Sequence, residues 1–226
     1  MTMLHFTAIA RTAILAAAAT TALGLLSIGA ARADTFVPLP GGTLSEALVD
    51  GTTVTLSLNA ESALINPSMG ATPLHRNVWV SGTARADLAG ANAAGARSKL
   101  RPGYVVGCQV NISGGNVTGG AGVTQPYASE NLQGSTSLGG ALSLGPGQAQ
   151  AVYLLDTEGP DAFGDSVHKP FNMFTGPQGS VTWRNSTIGL NGCAGYAQAR
   201  AFVRIEVETR QVKQDVTLWG QPFSLG

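Results

Sequence analysis

The sequence predicts an all-β protein: an antiparallel β-sandwich with a projecting β-hairpin that contributes to an oligomeric β-barrel. Three observations carry this expectation. Apolar residues recur with period two in short runs. Gly, Pro, Asn and Asp close those runs about every ten residues, which is the spacing of an antiparallel sheet. One Gly- and Ser-rich stretch in the middle keeps the same alternation while carrying a single charge.

The first 33 residues, MTMLHFTAIARTAILAAAATTALGLLSIGAARA, lie outside that pattern. Arg11 precedes an apolar run from Ala13 to Ile28, and Ala31-Arg32-Ala33 forms a small-residue cleavage pattern. This is the organisation of a secretory signal peptide. A transmembrane helix is the alternative, but Thr20, Thr21 and Gly24 interrupt the run. Residues 1–33 are therefore read as a signal peptide and residues 34–226 as one exported domain, about 190 residues being enough for its own core.

Lys plus Arg and Asp plus Glu each number 13, without any run of like charge. That balance excludes the basic footprint of a nucleic-acid binder, so no nucleic-acid partner is expected. Cys108 and Cys193 are the only cysteines. In an oxidising compartment such a pair is most simply a disulfide, two buried thiols being the alternative.

The strands follow in order. In TVTLSL, Val54, Leu56 and Leu58 alternate with Thr and Ser. In RNVWVSGTARADL, Val78, Val80, Ala84 and Ala86 share one face and Trp79 takes the other. SVTWRNSTIGLNG and QDVTLWGQP are bounded by turn residues in the same way. The longest run, Ala194 to Arg210, sets Ala197, Ala199, Ala201, Val203, Ile205 and Val207 against Gln198, Arg200, Arg204, Glu206 and Glu208, with Phe202 as the exception. Only TLSEALVD, from Thr43 to Asp50, reads as a short helix or turn, with Thr43 as N-cap and Glu46 in the capping-box position.

The central stretch runs SGGNVTGGAGVTQPYASENLQGSTSLGGALSLGPG, from Ser113 to Gly147. Val117, Ala121 and Val123 fall on one face of the outgoing arm and Asn116, Thr118 and Thr124 on the other. The return arm sets Leu132, Leu138, Leu142 and Leu144 against Gln133, Ser135, Ser137 and Ser143. Pro126 and Asn131 mark the turn, and Glu130 is the one charge between Arg101 and Asp156. A flexible surface loop is the alternative, but strict alternation and missing charge favour a hairpin.

A lone hairpin is marginal in water, so this one is expected to pair with copies of itself. In a closed barrel the Val and Leu face would meet lipid. Asn116, Thr118, Thr124, Gln133, Ser135, Ser137 and Ser143 would then line water, with Glu130 at the constriction. Arms of about a dozen residues suffice to cross the hydrocarbon layer.

LVDG (Leu48 to Gly51), PLHRNVWVSG (Pro73 to Gly82), LRPGYVVGC (Leu100 to Cys108) and VTLWGQPFSLG (Val216 to Gly226) together resemble the MspA-type porins of mycobacteria and related mycolic-acid bacteria. The resemblance covers nearly all of the chain after the signal peptide, in order. It implies a ring of eight identical subunits, each a β-sandwich giving one hairpin to a shared barrel through the outer membrane. The hairpin of the family corresponds to residues 111–147 here. Acidic residues near its tip favour cations in the best known members, and only Glu130 matches that placement. The hairpin is also shorter than theirs, and the cysteine pair is absent from them.

Enzymatic chemistry finds little support. There is no G-x-S-x-G and no H-E-x-x-H, and His75 and His168 are the only histidines after the signal peptide. Asp156, Glu158, Asp161 and Asp165 crowd DTEGPDAFGD without the spacing of an EF-hand, so they are read as a solvated turn, and neither metal nor cofactor is expected. The chain is thus expected to be a modestly cation-selective porin of the cell envelope, passing small hydrophilic solutes and ions. A soluble or envelope-associated binding protein without channel activity is the alternative.

Overall fold

The structure is a computed structural model of the chain, and it describes residues 34–67, 73–110, 115–119, 140–144, 147–160, 163–164 and 166–226. Asp34–Gly226 clusters as one compact unit. In chain order the strands are β1 (Thr35–Pro38), β2 (Gly42–Ala47), β3 (Thr53–Pro67), β4 (Arg76–Ala89), β5 (Arg97–Cys108), β6 (Gly115–Gly119), β7 (Gly140–Leu144), β8 (Ala149–Tyr153), β9 (Thr157–Pro160), β10 (Ser166–Lys169), β11 (Asn172–Thr175), β12 (Gln178–Leu190), β13 (Ala197–Glu208) and β14 (Lys213–Ser224).

All ladders are antiparallel. A seven-stranded sheet runs β1-β3-β4-β12-β6-β7, with β2 on the same edge of β3 as a second partner. A five-stranded sheet runs β11-β5-β13-β14, with β8 also on β5. β9 and β10 form a separate ribbon.

The inner faces of the two large sheets make the core. Val54, Leu56 and Leu58 of β3 and Val78, Val80, Ala84 and Ala86 of β4 are buried, as are Leu100, Tyr104 and Val106 of β5 and the alternate residues Ala197 to Val207 of β13. Period two thus converts directly into an apolar inner face and a hydrated outer one. The charged set of β13 finds partners on its outer face: Glu206 meets Lys99 at 2.9 Å, Arg101 at 3.0 Å and Lys213 at 3.1 Å. Phe202, the exception in the alternation, is also buried, packed edge-on against Tyr153 with ring centroids 5.6 Å apart.

One expectation is overturned. Thr43 to Ala47 belongs to strand β2, in register with β3 from Gly42 opposite Leu58 to Ala47 opposite Thr53. A helix of two turns does not repay its own nucleation, whereas the free edge of β3 offers a ready ladder of donors and acceptors. The turn that follows is real: Gly51 donates to the Leu48 carbonyl, and the Asp50 carboxylate accepts from the Thr52 amide at 3.0 Å.

Candidate functional site at the root of the hairpin

The chain leaves the five-stranded sheet at Cys108, the end of β5, and joins the other sheet as β6. There Val117, Thr118 and Gly119 pair with Leu190, Gly189 and Ile188 of β12. The returning β7 pairs with β6, setting Asn116 opposite Ser143 and Val117 opposite Leu142. β8 then rejoins β5, with Ala149 opposite Gly107. The pairs Asn116–Ser143 and Val117–Leu142 join residues of like class, whereas Thr118 stands opposite Ala141. Among the described residues, β7 has β6 as its one ladder partner and otherwise forms the rim of the sheet.

This arrangement corrects one expectation. The base of the hairpin does not stand free, because Ile188–Leu190 of β12, paired with β4 on one side, supply β6 with a second partner on the other. Backbone donors near the body are cheapest to satisfy on an existing strand, so the β12-facing edge of β6 is paired within the chain, while the outer edge of β7 is not.

Several loops converge where the hairpin departs. Cys108 and Cys193 are joined, with Cα atoms 5.9 Å apart, and both are buried. Gln109 donates its amide to the Tyr196 carbonyl at 2.9 Å, Ala194 to Val110 at 3.0 Å and Cys193 to Leu74 at 3.0 Å. On the return side Gly147 donates to the Cys108 carbonyl at 3.2 Å. Gly195 lies so close to this strand that a Cβ there would stand 3.1 Å from the Gln109 Cβ and 3.2 Å from the Val110 nitrogen.

Arg76 closes the cluster. Its Nε donates to the Gly226 carbonyl at 2.6 Å, its Nη2 to Gly195 at 3.3 Å and its Nη1 to Pro73. One guanidinium thereby ties the start of β4, the loop behind Cys193 and the C-terminal residue, using the several fixed donors that only Arg provides. Sequence reading singled out Arg76 as part of a motif without seeing this role. Val110 and Tyr196 remain 46% and 56% exposed beside the cluster.

Of the residues assigned to the pore, Asn116, Thr118 and Ser143 lie on the described strands β6 and β7. Glu130, Thr124, Gln133, Ser135 and Ser137 lie outside the described residues. The carboxylate-rich segment sits elsewhere, on the β9–β10 ribbon. There His168 Nδ1 is 2.8 Å from Asp156 and 3.9 Å from Glu158, and the Asp156 carboxylate raises the histidine above its ordinary pKa. Asp161 and Asp165 lie outside the described residues. No cluster of three metal-ligating side chains occurs among the described residues, and His75 is exposed. Among the same residues no helix is long and apolar enough to cross a membrane, a statement that does not bear on strands.

Residues 50–224 match the model of the MspA family. No curated protein matches the chain.

Proposed function

The chain belongs to the MspA family, and we propose that it is exported and acts as one subunit of a porin in the outer membrane of a mycolic-acid bacterium. The observation that carries this reading is the topology of the hairpin. It is anchored at one end to β5 and β8 and at its base to β12, while β7 presents an open edge. An edge of that kind, in a stretch with almost no charge, is completed when further copies continue the ladder and close it.

On this reading residues 1–33 are the signal peptide, and copies assemble into a ring, eight by likeness to the family. Their Val and Leu faces meet lipid. Asn116, Thr118, Thr124, Gln133, Ser135, Ser137 and Ser143 line the water. Exposed Tyr196 and Val110 at the root suit the boundary between polar headgroups and hydrocarbon, where aromatic side chains collect. Small hydrophilic solutes and ions pass passively, without catalysis.

Glu130 would form an acidic ring whose field is focused by low-dielectric walls, giving modest cation preference. The test is single-channel recording from the purified full-length protein in a planar bilayer under a salt gradient. Discrete conductance steps with a cation-selective reversal potential are expected, and Glu130→Gln is expected to move that potential most of the way to zero. An unchanged potential removes Glu130 from the lumen, and absence of conductance overturns the porin reading.

A further inference from the structure

Glu61 is 2% exposed inside the sandwich, and neither of its carboxylate oxygens has a hydrogen-bond partner among the described residues. It reaches the interior because β3 bulges. Register with β4 passes from Asn59 opposite Thr83 directly to Ser62 opposite Ser81, and Ala60 takes a φ of 52° to allow it. The opposite neighbour of β4 bulges at the same level, between Trp183 and Ser186 of β12, with Asn185 at a φ of 51° and its amide bonded to Ser81 Oγ at 3.0 Å. Across the core β14 also bulges, opposite the step from Arg200 to Phe202 of β13. Three strands in two sheets therefore kink in one transverse belt, a feature that marks bends and functional positions rather than chance irregularity.

Three polar side chains meet within this belt, whereas away from it the buried polar side chains are Thr52, Ser98 and Glu206 among the described residues. Tyr104 Oη from β5 and Trp183 Nε1 from β12 are buried and, like the carboxylate, lack a regular hydrogen-bond partner among the described residues. Glycines make room for them. A Cβ on Gly220 of β14 would stand 3.1 Å from Glu61 Oε2, and one on Gly82 of β4 would stand 2.6 Å from the Trp183 ring.

Tyr104 of β5 is the titratable group that acts on Glu61, and Trp183 of β12 acts on Tyr104 in turn; Gly220 of β14 lies against the carboxylate, with Ala201 of β13 and Leu58 of β3 around that glycine. The charge nearest by bonding is Arg200, which stands outside the sheet and donates to the Gly220 carbonyl at 2.8 Å. No ion pair reaches Glu61 among the described residues.

We propose that Glu61 is a buried proton-binding site at a joint of the sandwich: with the proton on, both sheets close over a neutral carboxyl, and when it leaves, the belt admits water and loosens. A carboxylate without counter-charge, and with the Tyr104 hydroxyl as the group that opposes its protonation, is the costly state in such a place, so the neutral acid is the form the fold accepts. Burial accordingly pushes the group up to about 7, against a smaller opposing effect of the Tyr104 hydroxyl. The segments that carry the hairpin, Ser186–Leu190 of β12 and Val105–Cys108 of β5, both lie on the far side of the belt from the strand starts. The joint thus lies between the strand starts and the hairpin-bearing end.

A group with a raised carboxyl pKa stabilises the fold below its unfolded value and loses that stabilisation as pH rises towards its folded value. For Glu61 this window runs from 4.5 to about 7. In the full-length protein, the ratio of wild-type to Glu61→Gln unfolding constants is expected to rise roughly tenfold per pH unit across the window, roughly 300-fold in all, and then level off. A ratio independent of pH overturns the proposal. Hydrogen exchange corrected for its intrinsic pH dependence should rise around Ala60, Gly82 and Trp183 in wild type between about pH 6 and 8 and stay level in the variant. Equal exchange in both overturns the joint.

Should Glu61→Gln not fold, infrared titration of the wild type and of Tyr104→Phe decides the matter. A protonated carboxyl band present at about pH 6 should disappear by about pH 9, and loss of the hydroxyl should move that midpoint upward. A missing band, or a midpoint that Tyr104→Phe leaves in place, overturns the assignment.

Discussion

Replacing both Cys108 and Cys193 by Ala perturbs the root of the hairpin at its one covalent tie. The bond closes a loop with a sequence separation of 85 residues, which contains the whole hairpin, the β9–β10 ribbon and β12. Chain entropy alone assigns such a loop about 4.5 kcal/mol at 25 °C. Both sulfurs are buried, so the alanines add a small packing loss. Set against a total stability of about 5 to 15 kcal/mol for a domain, the double variant is expected to lose a large share of its margin while keeping its fold. Urea unfolding of the oxidised wild type and the variant, extrapolated linearly to water, measures the difference. A loss below about 1 kcal/mol would refute the loop-closure argument, since it would mean that the denatured chain is not constrained by the bond. Labelling of two thiols per chain in denatured, unreduced wild type would refute the bond itself.

Gly82→Ala places a methyl group against the Trp183 ring, 2.6 Å from its nearest atom, and is expected to cost about 1 to 3 kcal/mol in urea unfolding, where a neutral result would contradict the close packing of the belt. Excising residues 120–139 and joining β6 to β7 by a short turn should leave a folded sandwich without conductance. Excising β6 and β7 as well strips Ile188–Leu190 of their partner, and the product should associate through that edge on a sizing column. Glu206 behaves oppositely to Glu61: desolvation raises it, but Lys99, Lys213 and Arg101 outweigh that and bring it down to about 2. Its contribution is present above its unfolded value of 4.5 and lost as pH falls to about 2, so wild-type stability should peak in mildly acid solution, whereas Glu206→Gln should flatten the acid limb.

Strands with unbroken alternation were legible residue by residue. In β13 the predicted inner set Ala197, Ala199, Ala201, Val203, Ile205 and Val207 is buried, as are Phe202, left as an exception, and Glu206, assigned to the other face. The hairpin arms were assigned two faces by the same rule, and the register now pairs Val117 with Leu142 and Asn116 with Ser143. β2 was not legible because its strand character comes from the edge of β3 rather than from its own residues, which carry a plausible helix start. Local signals lose to a nearby unpaired edge when the segment is too short to stabilise itself.

The belt was hidden for a different reason, although its trace is in the chain. Strict alternation onward from Val54, Leu56 and Leu58 would put Ala60 inside and Glu61 in water, which is where a glutamate is ordinarily expected. The buried residues change phase instead: even numbers to Leu58, then Glu61 and Ala63. β12 changes phase in the same manner, from Val181 and Trp183 to Ile188 and Leu190, and β14 from Val216 and Leu218 to Phe223. A single slip of this kind is ordinary, since one bulge reverses which face every later side chain occupies. Three slips that coincide in space are a property of the assembled sandwich, and no one-dimensional pattern aligns them. Their coincidence also explains why the polar groups are tolerated: the kinks and the glycines facing them open the one level of the core where a carboxyl, a phenol and an indole N–H fit together. A sequence with unbroken strands would have to place those groups in solvent.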